Sequence, residues 1–308
     1  GGAFLFDVIP TDDGGKELVM TNKFGDLVDT HPAGEYGIED AADESPVEID
    51  KMDSDLAYLS VLEALPHMGW PEALATLEAI ESNASSAGRE WAWGLLCRLL
   101  DRRYDTGSLR RSRWIDSVEA SLIRTISAAR HQPCDSFTGQ MTPGHRPVPD
   151  SDTQGIVVDA RPYPPEGPDS LALELVALHK AGWNRFVLLH CRGHRFIGNG
   201  FGPDTSDVEI DVLGAVGDYL GSGSDGMRIT MHGNAQDQVA QIHKAGELVV
   251  HGDVGQCYGY GAKGGRLFVL GNAAGRPMIN AVGSPKVVIN GTALDYLAES
   301  FMAGDPLD

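Results

Sequence analysis

Gly252-Asp253-Val254-Gly255-Gln256-Cys257-Tyr258-Gly259 repeats the glycine spacing of Gly214-Ala215-Val216-Gly217-Asp218-Tyr219-Leu220-Gly221. Both spell G-xx-G-xxx-G. Their first glycines are two rungs of a ladder, Gly214, Gly233, Gly252, Gly271 and Gly291, with spacings of 19, 19, 19 and 20 residues. The remaining rungs keep the register with small residues: Gly233 leads to Ala240, Gly271 to Ala274 and Gly291 to Ala298. A period near 20 with one short β-branched run per repeat predicts a coil that stacks on copies of itself.

The runs are Val208–Val212, Met227–Met231, Glu247–Val250, Arg266–Val269 and Lys286–Ile289, each with alternate apolar residues, so one face of each strand points inward. A degenerate earlier coil begins at Cys191, has His194 and Gly198 at matching places and is lengthened by Phe201–Ser206. Together these predict a right-handed parallel β-helix of about six coils, with coils ~4.8 Å apart. Two reasons for glycine at the corners are expected: positive φ, and a backbone approach too close for a Cβ.

Upstream of the repeats, Ile156–Ala160, a helix capped at Asp169 or Ser170 and running through Leu178, and Arg185–His190 read as a β-α-β unit leading into the coils, with Gly182 just past the helix end. Residues 132–155, rich in Pro, Ser, Thr and Asp, read as a linker. Residues 51–131 change period and form a helical module. Its first helix is read from Leu56, Leu59, Leu62 and Leu65, its second from Pro71, Leu74, Leu77 and Ile80. The third carries Trp91, Leu95, Leu96, Leu99 and Leu100, and the fourth Trp114, Val118, Leu122, Ile123 and Ile126. Residues 1–50 read as a β-hairpin (Ala3–Ile9 and Glu17–Met20) followed by an acidic, solvated connector over Gly34–Asp55.

The chain carries a net charge of −20, which argues against nucleic acid or an anionic membrane as the main partner. No run of about 18 apolar residues is present, so no transmembrane helix is expected. The four cysteines, Cys97, Cys134, Cys191 and Cys257, are scattered. Together with the lack of a leader pattern, this predicts free thiols in a reducing cytoplasm and no clustered iron–sulfur or Cys-rich zinc site.

His190, Cys191 and His194 resemble metal ligands at first sight. In coil register, however, His190, His232 and His251 occupy the same last strand position, and His232 and His251 should stack on adjacent coils. A metal or anion site and a like-on-like ladder are the two readings of that column; with no third ligand predicted nearby, the ladder is preferred. Cys257 reads as a small residue filling a corner, with nothing basic beside it to activate its thiol. The glycine corners lack the Lys-Ser/Thr pair and following helix of a phosphate loop. Arg102, Arg103, Arg110, Arg111 and Arg113 form the one basic cluster, read as solvated helix ends. No catalytic, cofactor-binding or metal-binding residue is assigned.

The repeats, above all His232-Gly233-Asn234-Ala235-Gln236-Asp237 and Gly264-Gly265-Arg266-Leu267-Phe268-Val269, resemble the C-terminal GXGXG β-helix domain of the glutamate synthase large subunit. They are also similar to its free-standing subunit form and to the corresponding structural subunit of formylmethanofuran dehydrogenase. The resemblance covers residues 155–308. It implies a non-catalytic scaffold, whose partners are an amidotransferase and a flavoprotein synthase subunit carrying FMN and an iron–sulfur cluster. An alternative is a structural subunit of a formylmethanofuran dehydrogenase-like molybdenum/tungsten oxidoreductase, and a third is an independent enzyme using the region of His190, His194 and His232.

The sixth coil, from Gly291, is followed by Asp305-Pro306-Leu307-Asp308 rather than by a strand, whereas residues 2–9 read like such a strand. Either residues 2–9 pair with the last coil, or they form an unrelated hairpin.

Overall fold

A computed structural model describes residues 4–10, 16–22, 27–32, 45–49, 52–127, 137–141, 146, 148–149 and 155–304. They belong to two compact units, one made of Gly1–Asn83 with Tyr104–Ser117, the other of Ala84–Arg103 with Val118–Asp308. The helical segment is therefore shared between them.

In the first unit, β1 (Phe4–Pro10), β2 (Lys16–Asn22) and β3 (Leu27–Pro32) form an antiparallel sheet in the order β1-β2-β3. Phe4 pairs with Asn22 and Pro10 with Lys16, which makes the expected hairpin and adds a third strand. Within this unit the strand read at residues 2–9 has β2 as its neighbour, and residues 1–3 and 305–308 lie outside the described residues.

Helix α1 (Ser54–Ala64) starts at Asp53, whose carboxylate accepts from the N–H groups of Asp55 and Leu56, both at 2.9 Å. Its buried residues are Ala57 and Val61, in line with Leu65 just beyond, while Leu56 and Leu59 are 54% and 59% exposed. The expected leucine face is wrong for a geometric reason. A strict three-residue step advances about 300° per step, so the leucines spiral round the helix, whereas the four-residue row stays on one side. Val47 and Ile49, within the stretch read as a solvated connector, are buried. Asn83 Nδ2 donates to the Ile49 carbonyl and ties that segment to helix α2 (Trp70–Ala87).

The second unit contains helix α3 (Arg89–Asp101) and the later part of α4 (Arg111–Ser127). It continues through β4 (Phe137–Met141), β5 (Gly155–Asp159), α5 (Leu171–Lys180) and β6 (Arg185–His194). The last strands are β7 (Glu209–Val216), β8 (Asp225–Met231), β9 (Ala245–Val250), β10 (Arg266–Val269) and β11 (Lys286–Ile289). Strands β4 to β11 form one sheet in strict chain order, all pairs parallel. Strands β5 and β6 are joined through α5, whereas from β6 onward the links are too short for crossover helices, so that the sheet adds its strands in order as a solenoid, here of about five turns. Strand β4 lies in the stretch read as a linker, which has no apolar alternation to announce it.

Side chains stack in columns. Phe186, Ile210, Ile229, Leu248, Leu267 and Val287 occupy one inward register position, and Leu188, Val212, Met231, Val250, Val269 and Ile289 the next. A second wall is marked by bridges running Val216, Ala235, Val254, Ala273, Ala293. These columns are the core of the unit, and all but the outermost members are buried.

The glycine ladder has one dominant cause. A Cβ at Gly214 would run into the carbonyl of Cys191, one at Gly233 into that of Gly214, and one at Gly252 into that of Gly233. The same clash recurs at Gly271 with Gly252 and at Gly291 with Gly271. Of the five, Gly214 alone has a left-handed φ, 108°. Close stacking, rather than turn geometry, sets the period. The left-handed corner seven residues further along is glycine in two coils, Gly221 and Gly259 (φ 63° and 66°), but Ala240, Met278 and Ala298 adopt it in the others, with φ of 58°, 62° and 53°.

Polar side chains stitch successive coils. The Asn234 side-chain carbonyl accepts from Asp253 N–H (2.8 Å), Asp253 from Asn272 N–H (2.7 Å) and Asn272 from Thr292 N–H (2.9 Å). A parallel series runs from Asp218 to Asp237 N–H and from Asp237 to Gln256 N–H. Among the described residues no helix is long and apolar enough to cross a membrane.

Candidate functional site

The residue after the second inward position of each strand forms a column of Leu213, His232, His251, Leu270 and Asn290. Backbone bonds place its histidines: His232 N–H donates to Val212 and His251 N–H to Met231, both at 2.9 Å. The rings of His232 and His251 stack with centroids 5.6 Å apart and planes 4° from parallel. The stack expected from the repeat register is therefore formed.

Its surroundings differ from the expectation. Asp101, the last residue of α3, lies over the column, with both carboxylate oxygens 3.1 Å from His232 Nδ1. On the other side of the ring, His232 Nε2 is 2.9 Å from Oδ1 of Asp211, a residue of β7. Trp93, two turns earlier on α3, meets the His232 ring edge-on at 5.9 Å. His251 Nε2 lies 3.4 Å from Asp101 Oδ2, and its Nδ1 is buried without a hydrogen-bond partner among the described residues.

Burial by itself would push the His232 imidazole towards neutrality. The hydrogen bonds and charges of Asp101 and Asp211 outweigh it and raise the pKa to about 10, so the ring is an imidazolium clamped by two carboxylates. His251 moves the other way: burial depresses its pKa against the pull of Asp101, with the His232 charge adding to the depression. The two stacked rings thus differ in charge, one cationic and one neutral. The cation also answers a local problem, because a carboxylate at the end of a helix faces the negative pole of the helix dipole. Cys97, on the same helix, is buried, and burial with the nearby carboxylates of Asp101 and Asp211 holds its thiol protonated.

Asp101, His232 and His251 are the one group among the described residues with ligand atoms close enough to share a metal ion, all within 4.8 Å. The contacts of 3.1 and 3.4 Å are near the ~3.3 Å edge of a tetrahedron with bonds of about 2.0 Å. Asp211 on His232 Nε2 would be the outer carboxylate that commonly orients a metal-bound imidazole. Against this, stacked parallel rings do not aim their lone pairs at one point, and the His232 proton occupies the nitrogen an ion would need.

The structure does not bring His194 into this site. Its Nδ1 accepts from Arg192 N–H at 3.0 Å, so Nε2 carries the proton and donates to the Tyr163 carbonyl at 3.1 Å. His194 and His232 share no partner in these contacts. His190 is half-buried with φ of 58°. Cys191 is buried and its thiol is pushed up to about 12, by burial first and then by Asp159 and Glu119. Cys257 is half-buried at its corner, and Cys134 lies outside the described residues. Of the arginines, Arg111 donates to the Tyr104 carbonyl and Arg113 stacks over Trp70 at 4.0 Å, both in the first unit. Arg102 and Arg103 belong to the second unit.

Three features escaped the sequence reading. Asp101 had no signal, being 131 residues from His232 in a helix without repeat character. Ser224 Oγ and His243 Nδ1 lie 2.6 Å apart in adjacent coils, but Ser224 also donates to the Gly221 carbonyl, and both residues are buried away from any substrate. The third is a charge column at the first strand position, where Arg185, Glu209, Arg228, Glu247, Arg266 and Lys286 are successive neighbours. From Glu209 to Lys286 it lines an open groove with Ser206, Gly226, Gly246, Gly265 and Ser284. The coil-to-coil spacing of the glycines is also the spacing of these charges, so the column was available in the sequence. Comparison with family models, with curated proteins and with solved structures finds no match to this chain.

Proposed function

We propose that the chain is a non-catalytic β-solenoid subunit of a glutamate synthase-like multi-subunit enzyme. It holds an amidotransferase and a flavoprotein synthase subunit, which carry the FMN and the iron–sulfur cluster, in fixed relation. The coil is right-handed and counts six turns, with Gly291–Gly304 as the sixth, and the protein works in the cytoplasm.

The observation that carries this reading is the last described coil. Leu294, Tyr296, Leu297, Phe301 and Met302 are all 42–57% exposed, beside an edge strand. Contiguous exposed apolar residues mark interaction surfaces. The motifs that attracted a catalytic reading have structural partners: His194 with Tyr163 and Arg192, and His232 with Asp101 and Asp211.

Purification from the native host with identification of co-eluting proteins tests the proposal. A glutamine amidotransferase and a flavoprotein in the same complex are the expected result. Molybdopterin and ferredoxin proteins would favour the formylmethanofuran dehydrogenase-like alternative instead. Turnover by the isolated chain, abolished by substituting His190, His194 or His232, would replace both with an independent enzyme.

A further inference from the structure

The charge column on the outward face of β7 to β10 has an order that the fold does not require. Coil by coil it runs Glu209, Arg228, Glu247, Arg266, one charge of alternating sign at every strand spacing of ~4.8 Å. Each of these strands has a paired strand on both sides. Arg228 reaches Glu209 at 3.4 Å and Glu247 at 3.6 Å, and Arg266 reaches Glu247 at 2.9 Å. These contacts leave the side chains partly in solvent, 57% and 55% for the two arginines, 43% for Glu209 and 21% for Glu247. Beside this charged ridge runs a furrow floored by Gly226, Gly246 and Gly265. The floor has no side chains of its own, so whatever enters the furrow meets the charges along one wall.

The period of the charges says what fits. An extended peptide repeats on one face every ~6.6 Å and loses step with charges ~4.8 Å apart within two coils, whereas stacked coils keep step. The order of signs selects further. A second column laid parallel in the same register would set Glu on Glu and Arg on Arg, which repel. Turned end for end, it sets Glu209 beside the partner's Arg266 and Arg228 beside the partner's Glu247, and the reverse pairs complete the set. An even number of alternating charges is complementary to its own reverse, which is the condition a two-fold interface must meet. We propose that two copies of this chain pair antiparallel through this surface, each charged ridge lying in the glycine furrow of the other. The members further out, Arg185 and Lys286, would meet as like charges, so the inner four set the register. The dimer is independent of which enzyme the chain serves.

Sedimentation of the full chain tests the pairing. The net charge of −20 keeps copies apart at ~0.01 M salt, where the screening length is about 30 Å. At ~0.15 M that length is about 8 Å, so the long-range repulsion is screened while close pairs persist; at ~1 M it is about 3 Å and the pairs weaken too. The dimer should therefore be most populated near ~0.15 M. Arg228→Glu and Glu247→Arg each place two like-charge contacts across the two-fold and should weaken the dimer at least about tenfold. The double variant restores those contacts but sets like charges side by side within one chain, residue 228 beside Glu209 and residue 247 beside Arg266. It should dimerise within about threefold of the parent, a recovery that a purely intrachain role of the column would not produce. A chain that stays monomeric up to about 0.1 mM at all three salt concentrations would overturn the proposal. So would a dimer that persists at ~1 M salt, single variants that dimerise like the parent, or a folded double variant that stays monomeric. Should the double variant fail to fold, the salt profile of the parent and the two single variants still decide. None of these outcomes touches the co-purification of partner proteins, so the two readings fall separately.

Discussion

Asp101 and His232 stand 131 residues apart in the chain and meet at 3.1 Å, the end of a helix closing over one rung of the solenoid. With Asp211 on the other ring nitrogen, the imidazole bridges two carboxylates that would otherwise be buried like charges. Breaking such a buried ionic contact from one side is costly, because the remaining charges lose their compensation. Replacement of Asp101 by Ala should lower unfolding stability by about 3 kcal/mol. Amide exchange should accelerate in Arg89–Asp101 more than in the strands, since the contact joins α3 to the coils. Uniform acceleration across the unit would show that the pair does not act on the helix.

The same contact predicts a pH dependence with a defined sign. An unfolded histidine releases its proton near pH ~6.5, whereas folded His232 keeps it to about 10. Its contribution is complete below ~6.5 and is lost as the pH rises through about 10, with a limiting slope of about 1.4 kcal/mol per pH unit. His251, whose pKa is depressed, acts in the opposite range: below ~6.5 the unfolded chain takes up a proton that the folded chain refuses, and stability falls. Denaturant titrations should show wild-type stability declining from pH 7 to 10, and His232→Gln should flatten that decline. Equal slopes would mean that His232 is neutral in the folded chain.

For the metal reading, the stacked rings and the proton on His232 lead to a definite expectation. Purified protein should contain well under one equivalent of zinc, and a chelator should leave its melting temperature unchanged. One equivalent of zinc, absent from His251→Ala, would turn the triad into a metal centre.

Glycines of the ladder should be far less replaceable than glycines at open corners. Gly252→Ala drives a Cβ against the Gly233 carbonyl carbon and oxygen at 2.6–2.7 Å, backbone atoms that can move only by separating two coils. It should cost about 3 kcal/mol or prevent folding, as overpacking does at its upper range. Gly223→Ala, at φ +70° with nothing within 4 Å, should cost about 1 kcal/mol, the ordinary strain of a left-handed alanine. Thermal unfolding of both variants measures the difference.

Along α1, Val61→Ala should cost about 1–2 kcal/mol, since Val61 is fully buried, while Leu56→Ala, at a half-exposed leucine, should stay within about 0.5 kcal/mol. A larger effect at Leu56 would mean that a partner covers it.

What the sequence made legible follows from what repeats. Gly214 to Gly291 and the strands between them were readable because each coil meets the same steric demand as the one before, and His232 over His251 followed from the same register. Glu209, Arg228, Glu247 and Arg266 obey that period too, and only attention to charge at one coil position would have revealed them. Asp101 was illegible: its partner is chosen by how a helix lies on the coils, and no periodicity encodes that. The leucines of α1 mislead because their three-residue spacing drifts round the helix, while the buried row is marked only by the smaller Ala57 and Val61. Strand β4 and the buried pair Val47 and Ile49 were hidden in polar surroundings, where one backbone pairing or two side chains carry no pattern.

The uniform collision between each ladder glycine and the carbonyl below it has a consequence for how the molecule can change length. Because every coil repeats one cross-section, the solenoid can be lengthened or shortened only in whole steps of one strand spacing, ~4.8 Å. An insertion of half a coil would put glycines over side chains and inward residues over outward ones. Loss of one whole coil would leave the walls continuous and draw the two ends closer by that single step. The solenoid is in this sense graduated, and its length is set by a count.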